Sequence, residues 1–591
     1  MPTVRQSFIQ KSIAQFCSEL VDWKPSQKNS ALHKYIQKYG ITHCIQSGRV
    51  HNAKDKLYDI FFLVEFCRSH STILYPLMSW RILGTEGIEE GYLDKISDLT
   101  LQTDSPDISN VGLIFTDMGL LHVGLSYANR VAEEQERLYG KDSVQTIKAL
   151  QNSVNLHIQV GKSREGLSII KTVLQANIKR YGEKSPETIE SQYLLGSLYQ
   201  NIKNYTKAEE IFNMIYRYSA EIYAESNPKR LASAHNLAGI YREQGKYNKA
   251  EKLSSWVVTQ NQEILGLQHP DTLISMDAFA RVLIYQGKLK DAEDILRLVL
   301  EQTESLMGRA HPLTVNAMYS LARCLMYCQQ YEEAKQLFSD VYDINLKKMG
   351  HLHSNTITTK GSLANIYCFL GDHKTAEKYY LEALSWGKEL FGEDSSALIT
   401  TLLDLHDLLL KQYRVDESKA YLDEALRIAQ KVWKQEDPLA LPSMQALANW
   451  HRFKGEYEHS KQQYEKINQL EEKFFGACHP NTLSSKMQYA FLLSEIGEHE
   501  QYTQVLQYCY EQYHTLMGAH HPSTIRVEMR FTIAKHTQYE ELSQILPQLL
   551  HKSDSVLGAE HPCSIEILHE LVRVCTEAKV VEECIPFNLS L

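Results

Sequence analysis

Histidine and cysteine are the residue types of this sequence that occur often enough to suggest metal binding or nucleophilic chemistry. The chain has 24 histidines and 11 cysteines. Several histidines precede proline, and the members of this set lie far apart in the sequence: His269, His311, His479, His521 and His561. Proline fits the first position of a helix at no cost in hydrogen bonds, so each His-Pro pair predicts a helix start rather than a shared metal site. His520 lies next to His521, but no acidic or thiol partner joins the pair.

The cysteines predict buried thiols rather than a metal centre. Cys324 and Cys328 lie one helical turn apart, and Cys368 comes much later in the sequence. A structural zinc site needs four well-placed ligands, and the sequence has no Cys-x-x-Cys pair. An odd number of cysteines without framework spacing is typical of reduced thiols in a cytoplasmic compartment. We therefore predict that most of these cysteines are small core residues and that the protein binds no metal.

Catalytic motifs of fixed spacing are absent from the sequence. It contains no His-Glu-x-x-His, no Gly-x-Ser-x-Gly and no dinucleotide-binding glycine fingerprint. It also has no Gly-x-x-x-x-Gly-Lys-Ser/Thr loop, whose backbone amides would hold nucleotide phosphates. We predict a protein without enzymatic activity and without a cofactor.

The charge balance argues against a nucleic-acid partner. The chain has 62 basic and 72 acidic residues and a net charge of -10, whereas nucleic-acid binding by counterion release needs a positive surface. The longest apolar stretches, at 59–66 and 73–78, are far shorter than the roughly 18 to 20 residues of a membrane span. Residues 1–12 lack the features of a secretory signal. These patterns predict a cytoplasmic protein with no membrane span.

A repeat with a period of 42 organises most of the chain. Glycines that follow an apolar or aromatic residue recur at one or two periods: Gly140, Gly182, Gly266, Gly308, Gly350, Gly392, Gly476 and Gly518. Most of the His-Pro pairs come shortly after such a glycine. Glycine commonly ends a helix and proline commonly begins one, so the chain is expected to reverse direction once in every period.

Each period is expected to contain two helices. Leu237-Ala238, Gly245 and Ala250-Glu251 recur three periods later as Leu363-Ala364, Gly371 and Ala376-Glu377. The small residues let two helices approach closely, and the glycine between them marks a turn. This pattern predicts an all-α solenoid of helical hairpins, with a helical N-terminal region at 1–98, about eleven units at 99–558, and a capping helix with a tail at 559–591.

The order Leu-Ala, Gly, Ala-Glu, Gly and His-Pro resembles the tetratricopeptide repeats of kinesin light chains, which have the same period. The resemblance implies a right-handed superhelix whose first helices line a concave groove for extended peptides or partner helices. It also implies that an asparagine just before the Leu-Ala pair contacts the peptide backbone, which selects Asn110, Asn152 and Asn236. An asparagine that ties the helices together is the alternative. The units around 393–476 depart from the pattern, with Tyr413 replacing the turn glycine and His406 replacing the small residue.

By the same resemblance, the residue after the small one points into the groove. This series contains Asn155, Arg281, Arg323, Asn365 and Asn449. Arginines on two successive units suit carboxylates of an extended ligand, because each guanidinium group can donate two parallel hydrogen bonds. The sequence therefore predicts a protein or peptide partner that is acidic in part, although an ordinary solvated surface is the alternative.

Two other interpretations remain open for the function. Residues 31–67 resemble the helical segment that precedes the repeats in signalling NTPases of the nephrocystin-3 kind, which would make this chain a relative without the NTPase. The chain could also be a regulatory subunit that controls a catalytic partner, since partner binding and enzyme regulation would use the same groove.

Overall fold

The structure is a computed structural model that describes residues 88–97, 99, 112, 115, 120–222, 224–225, 227–433, 436–536, 538–557, 559 and 562–578. Within these residues there are 23 α-helices and no strand, which confirms the all-α solenoid of helical hairpins. The resemblance of 31–67 to signalling NTPases falls outside the described residues and stays a prediction.

The helices follow one another along the chain, and from Leu121 to Ala578 the connections between them are short. In chain order they are α1 (Ile88–Ser97), α2 (Leu121–Tyr139), α3 (Val144–Gln159), α4 (Ser163–Tyr181), α5 (Pro186–Asn201), α6 (Tyr205–Ile222), α7 (Pro228–Glu243), α8 (Tyr247–Leu265), α9 (Pro270–Tyr285), α10 (Leu289–Met307), α11 (Pro312–Tyr327), α12 (Tyr331–Met349), α13 (Ser354–Phe369), α14 (His373–Phe391), α15 (Ile399–Lys411), α16 (Val415–Val432), α17 (Leu441–Phe453), α18 (Tyr457–Phe475), α19 (Pro480–Glu495), α20 (His499–Met517), α21 (Pro522–Lys535), α22 (Tyr539–Leu557) and α23 (Pro562–Ala578). A 3₁₀ turn, Ser396–Leu398, precedes α15.

The helices α3 to α22 pair into successive hairpins. They belong to two compact units. The first unit holds the described residues up to Asn201 together with Asn345–Thr356, and the second holds Ile202–Ile344 and the described residues from Ile357 onward.

The boundary between hairpins is built by a short network that confirms the predicted His-Pro helix starts. Gly266 ends α8 at φ 83°, and the Nδ1 atom of His269 accepts a hydrogen bond from the amide of Asp271 at 3.2 Å. The hydroxyl of Thr272 donates to the carbonyl of Gly266 at 2.8 Å. The same histidine cap occurs at His311, His353, His479 and His521. These bonds satisfy amides and carbonyls that helix ends would otherwise leave unpaired.

The turn between the two helices of a hairpin keeps one backbone conformation even where glycine is missing. Gly245 and Gly287 have φ values of 70° and 74°, and Lys203, Gln329 and Tyr413 adopt φ values of 57°, 61° and 60° at the equivalent positions. The left-handed region is unfavourable for residues with a Cβ atom, so these three positions carry local strain. The surrounding hairpin therefore imposes the turn, and the unit with Tyr413 keeps the hairpin form.

Replacing Tyr413 with glycine should stabilise the protein. The side chain is 83% exposed, so its removal loses little packing, whereas glycine relieves the left-handed strain. Strain of about 1 to 2 kcal/mol, reduced by the greater backbone freedom of glycine in the unfolded chain, gives a net gain of about 0.5 to 1 kcal/mol. Chemical denaturation monitored by circular dichroism measures this gain, and Tyr413→Ala, which keeps a Cβ atom, is the control expected to show none.

Small residues pack where the repeat pattern predicts them. Ala250 and Ala376 are both fully buried. Ala376 lies in a cluster with Ala364 of α13 and with Leu402 and Leu405 of α15, so it packs with both its own hairpin and the next one. Burial of this apolar surface between neighbouring hairpins is the main stabilising contribution in a solenoid.

The glutamate that follows this alanine connects successive hairpins. Glu251 accepts hydrogen bonds from Lys288 Nζ at 2.6 Å and from Gln286 Nε2 at 2.8 Å, both in the turn of the next hairpin. Glu209 binds Lys246 at 2.7 Å in the same way, and Glu377 binds Arg414 at 2.7 Å. These pairs are partly exposed, so each contributes little alone, but together they fix the stacking register.

The cysteines differ from the expectation at one position. Cys324 and Cys509 are buried free thiols, and Cys328, Cys368 and Cys478 are also free. Cys575 is disulfide-bonded, so the expectation that every cysteine is reduced is wrong there.

Within the described residues, no cluster of three or more potential metal ligands occurs. None of the described helices is long and apolar enough to cross a membrane.

Candidate binding groove

Two cavities adjoin on consecutive hairpins of the second unit. The first, here the arginine cavity, has a volume of about 340 Å³ and lies among α9, α10 and α11. The second, here the apolar cavity, has a volume of about 390 Å³ and lies among α7, α8 and α9. Ile274 lines both cavities, and 41% of its side chain is exposed, which is high for a large apolar residue. The two cavities form a continuous surface along successive first helices.

The repeat produces the same cavity twice with different chemistry. Leu273 and Val299 of the arginine cavity are equivalent, one repeat later, to Leu231 and Val257 of the apolar cavity. The two linings differ mainly in their charged and polar residues. The arginine cavity is lined by Asp277, Arg281, Asn316, Ser320 and Arg323. The apolar cavity has Ala232, His235, Asn236 and Ile264 in its lining.

Arg281 is held in place by a carboxylate on its own helix. Its Nε atom lies 3.2 Å from Oδ2 of Asp277, one helical turn earlier. Burial lowers the pKa of Arg281, Asp277 raises it, and the positive charges of Arg242 and Arg323 lower it further. An arginine stays protonated at neutral pH despite such a shift, so this guanidinium group is a charged donor with only one acidic neighbour in the cavity lining.

Arg323 is surrounded by phenol groups instead of a carboxylate. Burial opposes its charge, but the phenol groups of Tyr285, Tyr327 and Tyr319 and a hydrogen bond to Tyr285 leave the pKa raised. The cavity thus contains two guanidinium groups and one carboxylate. Nearby, burial lowers the pKa of His235, and Arg281 and Arg242 lower it further, so this ring is neutral at pH 7. The excess positive charge favours an anionic group of a ligand.

Three of the eight predicted groove residues line these adjoining cavities. Asn236 lines the apolar cavity, and Arg281 and Arg323 line the arginine cavity. Asn152 and Asn155 lie half-buried on α3 in the first unit, and Asn110 falls outside the described residues. The cavities also use residues that the sequence interpretation did not select, above all Ile274, Asp277 and Asn316. Asp277 could have been selected from the sequence by its position, since it precedes Arg281 by one helical turn.

Asn365 and Asn449 bind within their own hairpins. The hydroxyl of Tyr380 donates to Oδ1 of Asn365 at 2.8 Å, and the hydroxyl of Tyr464 donates to Oδ1 of Asn449 at 2.5 Å. Both tyrosines lie on the second helix of the hairpin, at the same spacing from the asparagine. Asn155 has Ile170 at that spacing, which carries no hydroxyl group. A tyrosine at this position of the second helix is therefore the sequence signal for an asparagine that ties the helices together.

Comparisons with known proteins identify the repeats. A tetratricopeptide repeat family model matches residues 229–305, 283–347, 313–385 and 355–431, and a second tetratricopeptide repeat model matches residues 189–217. No curated protein sequence matches the chain significantly.

Solved structures with similar helical hairpins come from several organisms. The TPR-like repeats of a kinesin light chain of Podosopora anserina are 25% identical over 34% of this chain and 95% of that chain, with a TM-score of 0.31. BtubC from P. vanneervenii is 18% identical over 42% of this chain and 92% of that one, with a TM-score of 0.31. The apo form of the quorum sensor NprR from B. thuringiensis is 15% identical over 62% of this chain and 98% of that one, with a TM-score of 0.39.

These TM-scores are low, so the assignment of the repeats rests on the family models and on the geometry of the hairpins. The residues matched by the models fall on the helices α5 to α16, which include both cavities. Residues 189–217 and 229–431 are therefore tetratricopeptide repeats, part of an all-α solenoid of helical hairpins.

Proposed function

We propose that this protein is a cytoplasmic, non-enzymatic adaptor that binds an extended peptide segment of a partner protein, acidic in part, across the arginine cavity and the apolar cavity. A solenoid of tetratricopeptide repeats is typical of protein-interaction scaffolds. The observation that carries the proposal is the pair Arg281 and Arg323, on successive hairpins, in one solvent-accessible cavity that continues into a second.

The charges and sizes of the cavities support a peptide rather than a small metabolite. Donors to a carboxylate lie on α9 and α11, and exposed apolar surface lies next to them at Ile264 and Ile274. Charge-assisted hydrogen bonds from arginine orient a carboxylate, while the apolar wall gains from covering exposed surface. An extended chain can use both at once because it reaches from one hairpin to the next.

Site-specific photo-crosslinking tests where partners bind. A photoreactive amino acid at Asn316, in the arginine cavity, should capture a partner protein from cells, whereas the same group at Lys252, which is exposed on α8, should not. Mass spectrometry then identifies the crosslinked segment, which we expect to contain aspartate or glutamate. Efficient capture from Lys252 with none from Asn316 would place the binding surface elsewhere.

The purified protein should not bind nucleotides. The sequence has no phosphate loop of the Gly-x-x-x-x-Gly-Lys-Ser/Thr type, so no such loop offers backbone amides to a triphosphate. Equilibrium dialysis with labelled ATP at micromolar concentration, with and without Mg²⁺, is expected to show no saturable binding. Saturable binding would contradict the adaptor proposal and favour a nucleotide-dependent activity.

A further inference from the structure

Two helix starts late in the chain contact two hairpin turns that lie far earlier in the sequence. The Nε2 atom of His479 is 2.8 Å from the backbone carbonyl oxygen of Glu243, although 236 residues separate them. The ring of Tyr205 stacks on His479, with centroids 6.4 Å apart and planes at 10°, and it also contacts Phe475 at 6.1 Å. One repeat further, His521 lies against the turn at Gly287, where an added Cβ atom would be 2.9 Å from Cδ2 of His521. Burial lowers the pKa of His521, and the backbone of Tyr285 raises it.

The two histidines are suited to this contact because both ring nitrogens are used. Nδ1 of each ring accepts the amide hydrogen bond that caps its own helix. The other nitrogen is then protonated and donates across the contact. Burial lowers the pKa of His521 to about 4 and also lowers the pKa of His479, so both rings are neutral at pH 7. Neutral rings in this tautomer satisfy both bonds.

The contact needs glycine at both turns. A Cβ atom at Gly245 would lie 2.5 Å from Cδ of Pro480, and one at Gly287 would lie 2.9 Å from Cδ of Pro522. The equivalent turns at Gly371 and Gly497 have nothing within 4 Å of such an atom. Lys203, Gln329 and Tyr413 show that the turn itself tolerates a side chain. The restriction at Gly245 and Gly287 therefore comes from the opposing prolines and not from the hairpin.

The contact is joined to the arginine cavity through two residues. Tyr285 acts on both His521 and Arg323: burial lowers the pKa of His521 while the Tyr285 backbone raises it, and burial lowers the pKa of Arg323 while the Tyr285 phenol group raises it. Glu243, whose carbonyl faces His479, forms an ion pair with Arg242 at 2.6 Å. The guanidinium group of Arg242 lies over the ring of Tyr285, 5.9 Å from its centre. The residues Glu243, Arg242 and Tyr285 therefore lie between the contact and Arg323.

We propose that the turns at Gly245 and Gly287 and the helix starts at Pro480 and Pro522 form an intramolecular latch within the second unit, and that the closed latch positions Tyr285 and Arg323 to receive an acidic peptide. Closing the latch and binding the peptide stabilise each other, because a coupling between two sites acts equally in both directions. The cavity stays accessible when the latch is closed, since Ile274 at its wall is exposed. The latch therefore acts by positioning and not by blocking entry. The coupling rests on the proposed function, whereas the latch does not.

The test compares two matched double variants of the full chain. Gly245→Asn with Gly287→Asn places side chains against the two prolines, and Gly371→Asn with Gly497→Asn places them at the two open turns. Asparagine is chosen because it tolerates the left-handed conformation. Two fluorophores are attached through unnatural amino acids at Lys252 and Ser484, which are exposed on α8 and α19. Energy transfer reports the distance between them, and circular dichroism reports helix content.

In the first pair of substitutions we expect a longer distance with unchanged helix content, and in the second pair no change. Affinity for a fluorescein-labelled polyglutamate peptide should fall by at least about fivefold in the first pair only, which is the lower end of typical coupling between sites. Saturating peptide should also shorten the distance again.

An unchanged distance in Gly245→Asn with Gly287→Asn would overturn the latch. A longer distance with unchanged peptide affinity would overturn the coupling while leaving the latch in place. A wild-type protein that does not bind the peptide would contradict both the proposed ligand and the coupling. The distance between the two fluorophores would still show whether the latch exists.

Discussion

Replacing Arg281 and Arg323 together with glutamate is expected to weaken binding of the labelled polyglutamate peptide, or of the crosslinked partner segment, by well over tenfold. Each charge-assisted hydrogen bond contributes about 1.5 to 3 kcal/mol, and about 1.4 kcal/mol corresponds to a factor of ten in affinity. The new carboxylates would also lie near Asp277 and would repel an acidic ligand. Isothermal titration calorimetry measures the loss, and rising salt should weaken wild-type binding as well.

The control for this change reverses the same amount of charge outside the groove. Lys252 and Lys290 are exposed on α8 and α10, so replacing both with glutamate should leave affinity and helix content unchanged. Lys288 is unsuitable because it binds Glu251 of the preceding hairpin. Equal loss of affinity in the two double variants would indicate a general effect of net charge instead of a specific groove.

Replacing Ala376 with leucine is expected to destabilise the solenoid by about 1 to 3 kcal/mol, the usual cost of overpacking a core. The side chain of Ala376 is fully buried in a cluster with Ala364, Leu402 and Leu405, so the added carbon atoms must displace neighbouring helices. Differential scanning calorimetry should show a lower melting temperature.

Lys374→Leu is the matched control for this overpacking. Lys374 lies on the same helix and is exposed, so a leucine there has room and favours the helix. We expect no loss of stability in this variant. An unchanged melting temperature in Ala376→Leu would show that the alanine does not occupy a tight contact between hairpins.

Much of the fold could be predicted because the signals are local and repeat. A glycine that ends a helix and a His-Pro pair that begins the next one act within a few residues, and the structure shows His269, His311 and His479 capping helices as expected. The repeat also placed Arg281 and Arg323 on equivalent positions of adjacent hairpins, which is why one cavity contains both. The threonine that binds the helix-ending carbonyl, such as Thr272, was missed because threonine alone has no strong preference for that position.

The sequence could not predict features that depend on distant or competing partners. Asn365 and Asn449 have the expected residue type and position, but a tyrosine hydroxyl on the second helix of the hairpin donates to the amide oxygen of each one. The bond from His479 to Glu243 joins hairpins that are far apart in the sequence. Whether such hairpins meet depends on the small rotation between each hairpin and the next, added over all the hairpins between them. No local sequence pattern predicts this accumulated rotation.

Hydrogen–deuterium exchange with and without the captured partner segment tests the binding groove most directly. We expect the partner to slow exchange in α9 and α11, which carry Arg281 and Arg323, and in α7, which carries Asn236. The helices α14 and α18 contribute no residue to either cavity and should exchange as in the free protein. Slower exchange confined to α14 and α18, with α7, α9 and α11 unchanged, would contradict the proposed groove, because the partner would then bind outside the cavities.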